Sequence, residues 1–192
     1  VNLAGVDLTR YDLTTSNLAG ANLEGANLPH GSAPRHMPGA NLSGIDLSRR
    51  DLTGANLEGA NLEGANLCHA SLSNAILTGA NIEQADLNGA NLSNANLSGA
   101  SLMGASLVGV NLAGANLMNA DLSDCLIRNS TIDGCLNIHS ARLDGAQGMP
   151  TGFKFLCPSC RTQGKHLRVS LDIRNDAYGQ GYLRAVCDRH NR

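Results

Sequence analysis

"GANLEGANLEGANL" fills residues 54–67: one five-residue phrase, spelled almost without variation, containing no aromatic and no basic residue. A period of five suits neither common element. On an α-helix, Leu every fifth residue would wind the apolar stripe around the axis by roughly 140° per repeat. On a flat strand, successive Leu would point to opposite faces. The spacing instead demands a chain that turns between inward-pointing residues, so that every fifth side chain meets the same axis.

The phrase extends far beyond this stretch. Leu recurs at positions 3, 8, 13, 18, 23 and 28, and the frame resumes at Leu42 and runs to Ile132, with Ile82, Ile127 and Ile132 as the substitutions of the marker. The consensus is A-(N/D)-L-x-G. Aromatic residues make up 3% of the chain and Trp is absent, so large rings do not fill the core. Leu ladders must do so, with small residues such as Ala55, Ala60, Ala65, Ala80 and Ala100 where converging walls leave little room. Gly two places after Leu supplies the turn. Such strict spelling is architectural, because each unit buries little alone and depends on its neighbours.

The A-(N/D)-L-x-G run from about residue 1 to 145 resembles the pentapeptide-repeat family. The resemblance implies a right-handed quadrilateral β-helix, with four repeats per turn and about seven coils. Positions 20 apart, such as Leu52, Leu72, Leu92, Leu112 and Ile132, are then expected to stack at the ~4.8 Å spacing of adjacent strands. The resulting organisation is all-β: a β-helix over residues 1–149 and a small zinc-stapled β module over residues 150–192.

Two irregularities interrupt the array. "PHGSAPRHMPG", residues 29–39, holds three of the five prolines and reads as a loop leaving the coil wall, with His30, Arg35, His36 and Met37 presented to a partner. Near residues 134–143 the marker slips from Ile132 to Ile138, six residues instead of five, which predicts a bulge as the coil closes. Cys125 occupies the small inward position and is expected to be a buried, inert thiol. Glu63 and Glu83 are expected to share one face, with Glu24 and Glu58 on others.

The composition changes after residue 149. Residues 150–192 carry 8 Lys or Arg against 3 Asp or Glu, whereas the preceding segment carries 6 against 13. Cys157-Pro-Ser-Cys160 and Cys187-Asp-Arg-His190 supply four soft or borderline ligands, the number that a tetrahedral structural zinc needs. Between them, "HLRVSLDI" and "YLRAV" alternate as short strands do, with "NDAYGQG" as the turn. The layout resembles a zinc ribbon, and so short a segment needs a staple to fold. A Cys157–Cys160 disulfide, free thiols, and His166 in place of His190 are the alternatives.

No Ser/His/Asp arrangement, phosphate-binding glycine loop or paired acid motif stands out, so the expected role is non-enzymatic: a protein-interaction or scaffold module, as part of a larger protein or a bacterial effector. The family resemblance offers a second function, mimicry of DNA toward gyrase. The charge here is sparse for that role beside a duplex carrying one charge every ~1.7 Å. A third is nucleic-acid binding by the basic tail through Arg161, Lys165, Arg168, Arg174, Arg184 and Arg189, with Tyr178 and Tyr182 for stacking. No apolar run approaches the ~18 residues of a membrane helix, and no charged-then-apolar leader opens the chain. Val1 already stands inside a repeat, so the sequence reads as a processed form or a fragment. A cytoplasmic location is expected, with delivery into a host cell as the alternative.

Overall fold

The computed structural model describes residues 1–29, 33–132 and 134–147, together with two strands farther along the chain. The first three segments form one continuous solenoid. Its coils pair in parallel, Asn56 with Ile76, Asn61 with Asn81, Asn66 with Asp86 and Ser71 with Asn91, so four five-residue edges complete each coil. The marker residues and the Ala two places before them form the core. Leu52, Leu57, Leu62, Ala55 and Ala60 are fully buried, their equivalents up to Ile127 are within a few per cent of it, and Ile132 and Cys135 near the end are only partly buried.

One repeat, Ala60-Asn61-Leu62-Glu63-Gly64, accounts for all five of its backbone N–H groups. Ala60 N–H donates to Leu57 O (3.0 Å), closing a four-residue turn whose third residue, Gly59, has φ of 61°. This is the hydrogen-bond and φ pattern of a type II turn. Asn61 N–H donates to Ala40 O (2.9 Å) in one neighbouring coil. Leu62 and Gly64 donate to Asn81 O (2.6 Å) and Glu83 O (2.9 Å) in the other. The remaining donor, Glu63 N–H, bonds the side chain of Asn61 at Oδ1 (3.2 Å). No donor is orphaned, which a fold with so little regular secondary structure requires.

That last bond explains the Asn or Asp before each Leu, since both side chains accept from a backbone N–H two residues on. Where Asn stacks on Asn, the amide also bridges coils. Asn41 donates to Asn22 (3.0 Å), Asn61 to Asn41 (3.1 Å) and Asn81 to Asn61 (3.1 Å). Asp lacks a donor and cannot propagate such a ladder.

The register departs from 20 twice. Asn17 pairs with His36 and Asn22 with Asn41, so the coil that includes Ala33 and Met37 has 19 residues. A register one residue short contradicts the insertion of about nine residues expected at 29–39. Ala33 (1% exposed) and Met37 (0%) carry the marker across this stretch, in steps of five, four and five from Leu28 to Leu42. The expected presentation of Met37 to a partner therefore fails: it is a core residue in the place of Leu. At the other end, Asn116 still pairs with Leu136, but Asp121 pairs with Arg142 and Leu126 with Gln147, 21 residues apart. The extra residue is taken up by a 3-10 turn, η1 (Ile138–Ser140), entered through Asn137 at φ of 57°. The coil thus continues past the slip to Gln147.

Beyond the solenoid, β1 (Leu171–Asn175) and β2 (Gly181–Ala185) pair antiparallel, with Leu171 opposite Ala185 and Asn175 opposite Gly181. They fall within or beside the two stretches whose alternation predicted strands. β2 lies beside η1.

Candidate interaction surface

The solenoid walls expose the residues on either side of each marker, and one wall is acidic. Glu24, Glu63 and Glu83 each stand two places beyond a member of the Asn22–Asn41–Asn61–Asn81 ladder. Glu24 therefore belongs with Glu63 and Glu83, not on another wall, because the short coil moves the register by one residue. Asn41 Nδ2 contacts Glu24 Oε2 (3.4 Å), and Ser101 Oγ donates to Glu83 Oε1 (2.8 Å). Farther along the wall, Asp121 and Asp144 are both bridged by Arg142, at 3.0 and 3.7 Å.

A second distinct region is the short coil. Arg35 and His36 are exposed, as expected, and Arg35 pairs with Asp51. The feature not anticipated is Arg50, which stands where most repeats have the small inward Ala. Its guanidinium reaches across to the preceding coil and donates to Leu28 O (3.2 Å) and Pro29 O, while Nε donates to Asp46 O (3.4 Å). Burial lowers its pKa, an effect opposed by the nearby Asp46 charge. The sequence signal was available: "SRRD" at residues 48–51 is a place where charge replaces the A and G of the repeat.

The thiols behave as small apolar groups. Cys125 Sγ donates to Leu102 O (2.8 Å) and Cys135 Sγ to Leu112 O (3.0 Å). Burial pushes the Cys125 pKa up to about 12, leaving it protonated and inert at neutral pH. Cys68 is half-buried. Among the described residues, no three His, Cys, Asp or Glu side chains are gathered to hold a metal, and no helix is long and apolar enough to cross a membrane. The proposed zinc ligands Cys157, Cys160, Cys187 and His190 lie outside the described residues, as do His30, Arg161, Lys165 and Arg168. Arg184 belongs to β2.

Parallel coils, five-residue edges, inward Leu and Ala, and left-handed turn residues define a β-helical solenoid. The sequence pattern of pentapeptide repeats matches in eight copies, over residues 1–30, 39–67, 51–89 and 85–124. The chain belongs to the pentapeptide repeat family. Among solved structures it is similar to a pentapeptide repeat protein of the Arabidopsis thaliana thylakoid lumen, at 37% identity over 49% of this chain, with a TM-score of 0.34. The matched part spans 62% of that protein's length. It is also similar to Rfr23 of the cyanobacterium Cyanothece, at 27% identity over 77% of this chain and 84% of that one, with a TM-score of 0.29. A third similarity is to QnrB1, a plasmid-mediated fluoroquinolone resistance protein, at 20% identity over 77% and 79%, with a TM-score of 0.32. No curated protein sequence matches.

Proposed function

We propose that this chain is a non-enzymatic interaction or scaffold module that presents flat β-helical walls to a protein partner. One observation carries the reading: in the regular repeats, Leu, Ala and the backbone donors are consumed by the architecture. The residue after each Leu and the turn position that follows it are left to vary on the outside, as at Glu58, Glu63, His69 and Gln84. Surfaces of this kind bind partners by extended complementarity. Site-specific photo-crosslinkers at positions 58, 63 and 113 of the full chain test it. A partner captured from one of these three walls is the expected result, and equal labelling from all three positions overturns it.

The reading includes a structural zinc held by Cys157, Cys160, Cys187 and His190. The antiparallel pairing of β1 and β2 supports it, because the start of β1 and the end of β2 lie side by side. The chain toward Cys160 and the chain toward Cys187 therefore set out from the same end of the hairpin. Four protein ligands would close the metal's shell, making its contribution to folding and not to chemistry. Stoichiometric zinc in the purified chain, lost in Cys187→Ser, is expected; metal-free protein with unchanged unfolding overturns it.

The acidic column gives a second reading some support. Glu24, Glu63 and Glu83 on one wall suit a basic, DNA-binding surface such as that of gyrase. Inhibition of supercoiling that disappears in Glu63→Lys/Glu83→Lys is the expected outcome, and unchanged supercoiling with added chain removes this reading.

A further inference from the structure

The short coil leaves the wall open on one face. Among the described residues, no backbone hydrogen bond joins residues 25–29 to residues 44–50, although the same coils pair at Asn22–Asn41 and the chain rejoins the wall at His36–Asn56. Groups that would close the seam in a regular coil find no partner among the described residues: the N–H of Gly25, Leu28 and Asp46, and the carbonyl of Ala26. They surround a cavity of about 270 Å³ lined by residues 25–28 and 44–46, Thr9 and Arg50. Donors and acceptors facing such a space must bond water or a ligand.

The charges beside the cavity specify the ligand further. Arg50 spans it, yet its guanidinium meets carbonyl oxygens and forms no ion pair with a described carboxylate. Arg10 and Arg49 are exposed, are next in sequence to the lining residues Thr9 and Arg50, and form no ion pair with a described residue either. Two short edges with free main-chain groups, and three arginines within or next in sequence to the lining against one lining carboxylate, Asp46, match the chemistry of an extended acidic peptide. Main-chain bonds to strand edges give affinity, and side chains give selectivity.

We infer that the seam between residues 25–29 and 44–50 is a docking site for an extended acidic segment of a partner protein. Its backbone bonds the open lips, and its carboxylates meet Arg10, Arg49 and Arg50. This rests on the interaction-module reading and names the partner's chemistry.

The test pans a random heptapeptide library against the full chain and against Arg10→Glu/Arg49→Glu, which changes only exposed side chains. Acid-rich peptides are expected that perturb the amide resonances of Gly25, Leu28 and Asp46 and bind the variant at least about tenfold more weakly. A second variant, with one residue inserted between Pro34 and Arg35 to restore a 20-residue coil, keeps the arginines but closes the lips. It too is expected to lose the peptide. Absence of acidic enrichment, binding that survives charge reversal, or displacement by equimolar inorganic phosphate overturns the proposal. If crosslinked partner capture persists in the charge-reversed chain, the seam assignment fails while the interaction reading stands; if capture fails in the parent chain, both fall.

Discussion

The two irregular coils differ by two residues and respond in opposite ways. The 21-residue coil absorbs its extra residue in the turn η1, whose Ile138 still packs against the core, while Asp121–Arg142 and Leu126–Gln147 pair as any other rungs do. The 19-residue coil has no slack to give up. An edge of the solenoid must span a fixed distance between turns, so a missing residue tears the ladder at residues 25–29 and 44–50, and Arg50 bridges the gap. A solenoid of this type tolerates insertion at a corner far better than deletion.

Between the two irregularities, residues 51–132 provide the reference state, and the largest effect is expected there. Leu92→Ala removes a fully buried marker flanked by intact coils that cannot collapse onto the cavity, at a cost of about 3 kcal/mol in denaturant unfolding. Leu13→Ala, in the partly buried first coil, should cost distinctly less. Equal losses would mean that the ends are as tightly packed as the middle.

Arg50→Ala comes next. It removes charge-assisted bonds to three carbonyls, about 2 kcal/mol, and hydrogen exchange should show residues 1–29 losing protection before residues 51–132. Arg142→Ala, at the long coil, breaks only exposed ion pairs and should cost under about 1 kcal/mol. A reversal of this order would refute the bridging role of Arg50. The insertion between Pro34 and Arg35 probes the same seam from the other side. It should gain about 1 kcal/mol as the free amides pair, with slower exchange at Gly25, Leu28 and Asp46.

These contrasts show which parts of the molecule its sequence exposes. The solenoid is legible because one inward side chain in five leaves a period that no helix or strand shares. The turn role of Gly follows from its place after Leu, and it is met by positive φ at Gly54, Gly59 and Gly64. Residues 29–39 mislead because proline and glycine usually mark an excursion, and because Met and Ala replace the Leu that defines the frame. Stepping back five from Leu42 lands on Met37, with Pro38-Gly39 following as x-G, and that is the signal that the coil continues. A one-residue deficit is invisible without the pairing partner, which is why Glu24 is assigned to the wrong wall and the seam is not anticipated. Asn before Leu reads as a solvent-facing residue, because its bond is to a backbone N–H and to the Asn of the next coil, relations that one repeat in isolation does not contain.

The Asn and Asp versions of that position give the smallest and most selective prediction. Residues 55–66 use Asn, whereas Asp7, Asp12, Asp46 and Asp51 use a carboxylate. Asp7 and Asp51 are held below the ordinary 3.8 by the hydroxyls, then the N–H groups, of Thr9 and Thr53; Asp12 and Asp46 by the N–H groups, then the hydroxyls, of Thr14 and Ser48. A carboxyl whose folded pKa lies below its unfolded value stabilises the fold at higher pH and stops doing so as pH falls through the folded pKa. Asn does not titrate, so acid should loosen the two ends of the comparison unequally. Below pH ~3.8, amides of residues 1–51 should lose protection before those of residues 55–66, and Asp46→Asn/Asp51→Asn should narrow the difference. Uniform loss along the coil would show that the turn carboxylates are interchangeable with the amides they replace.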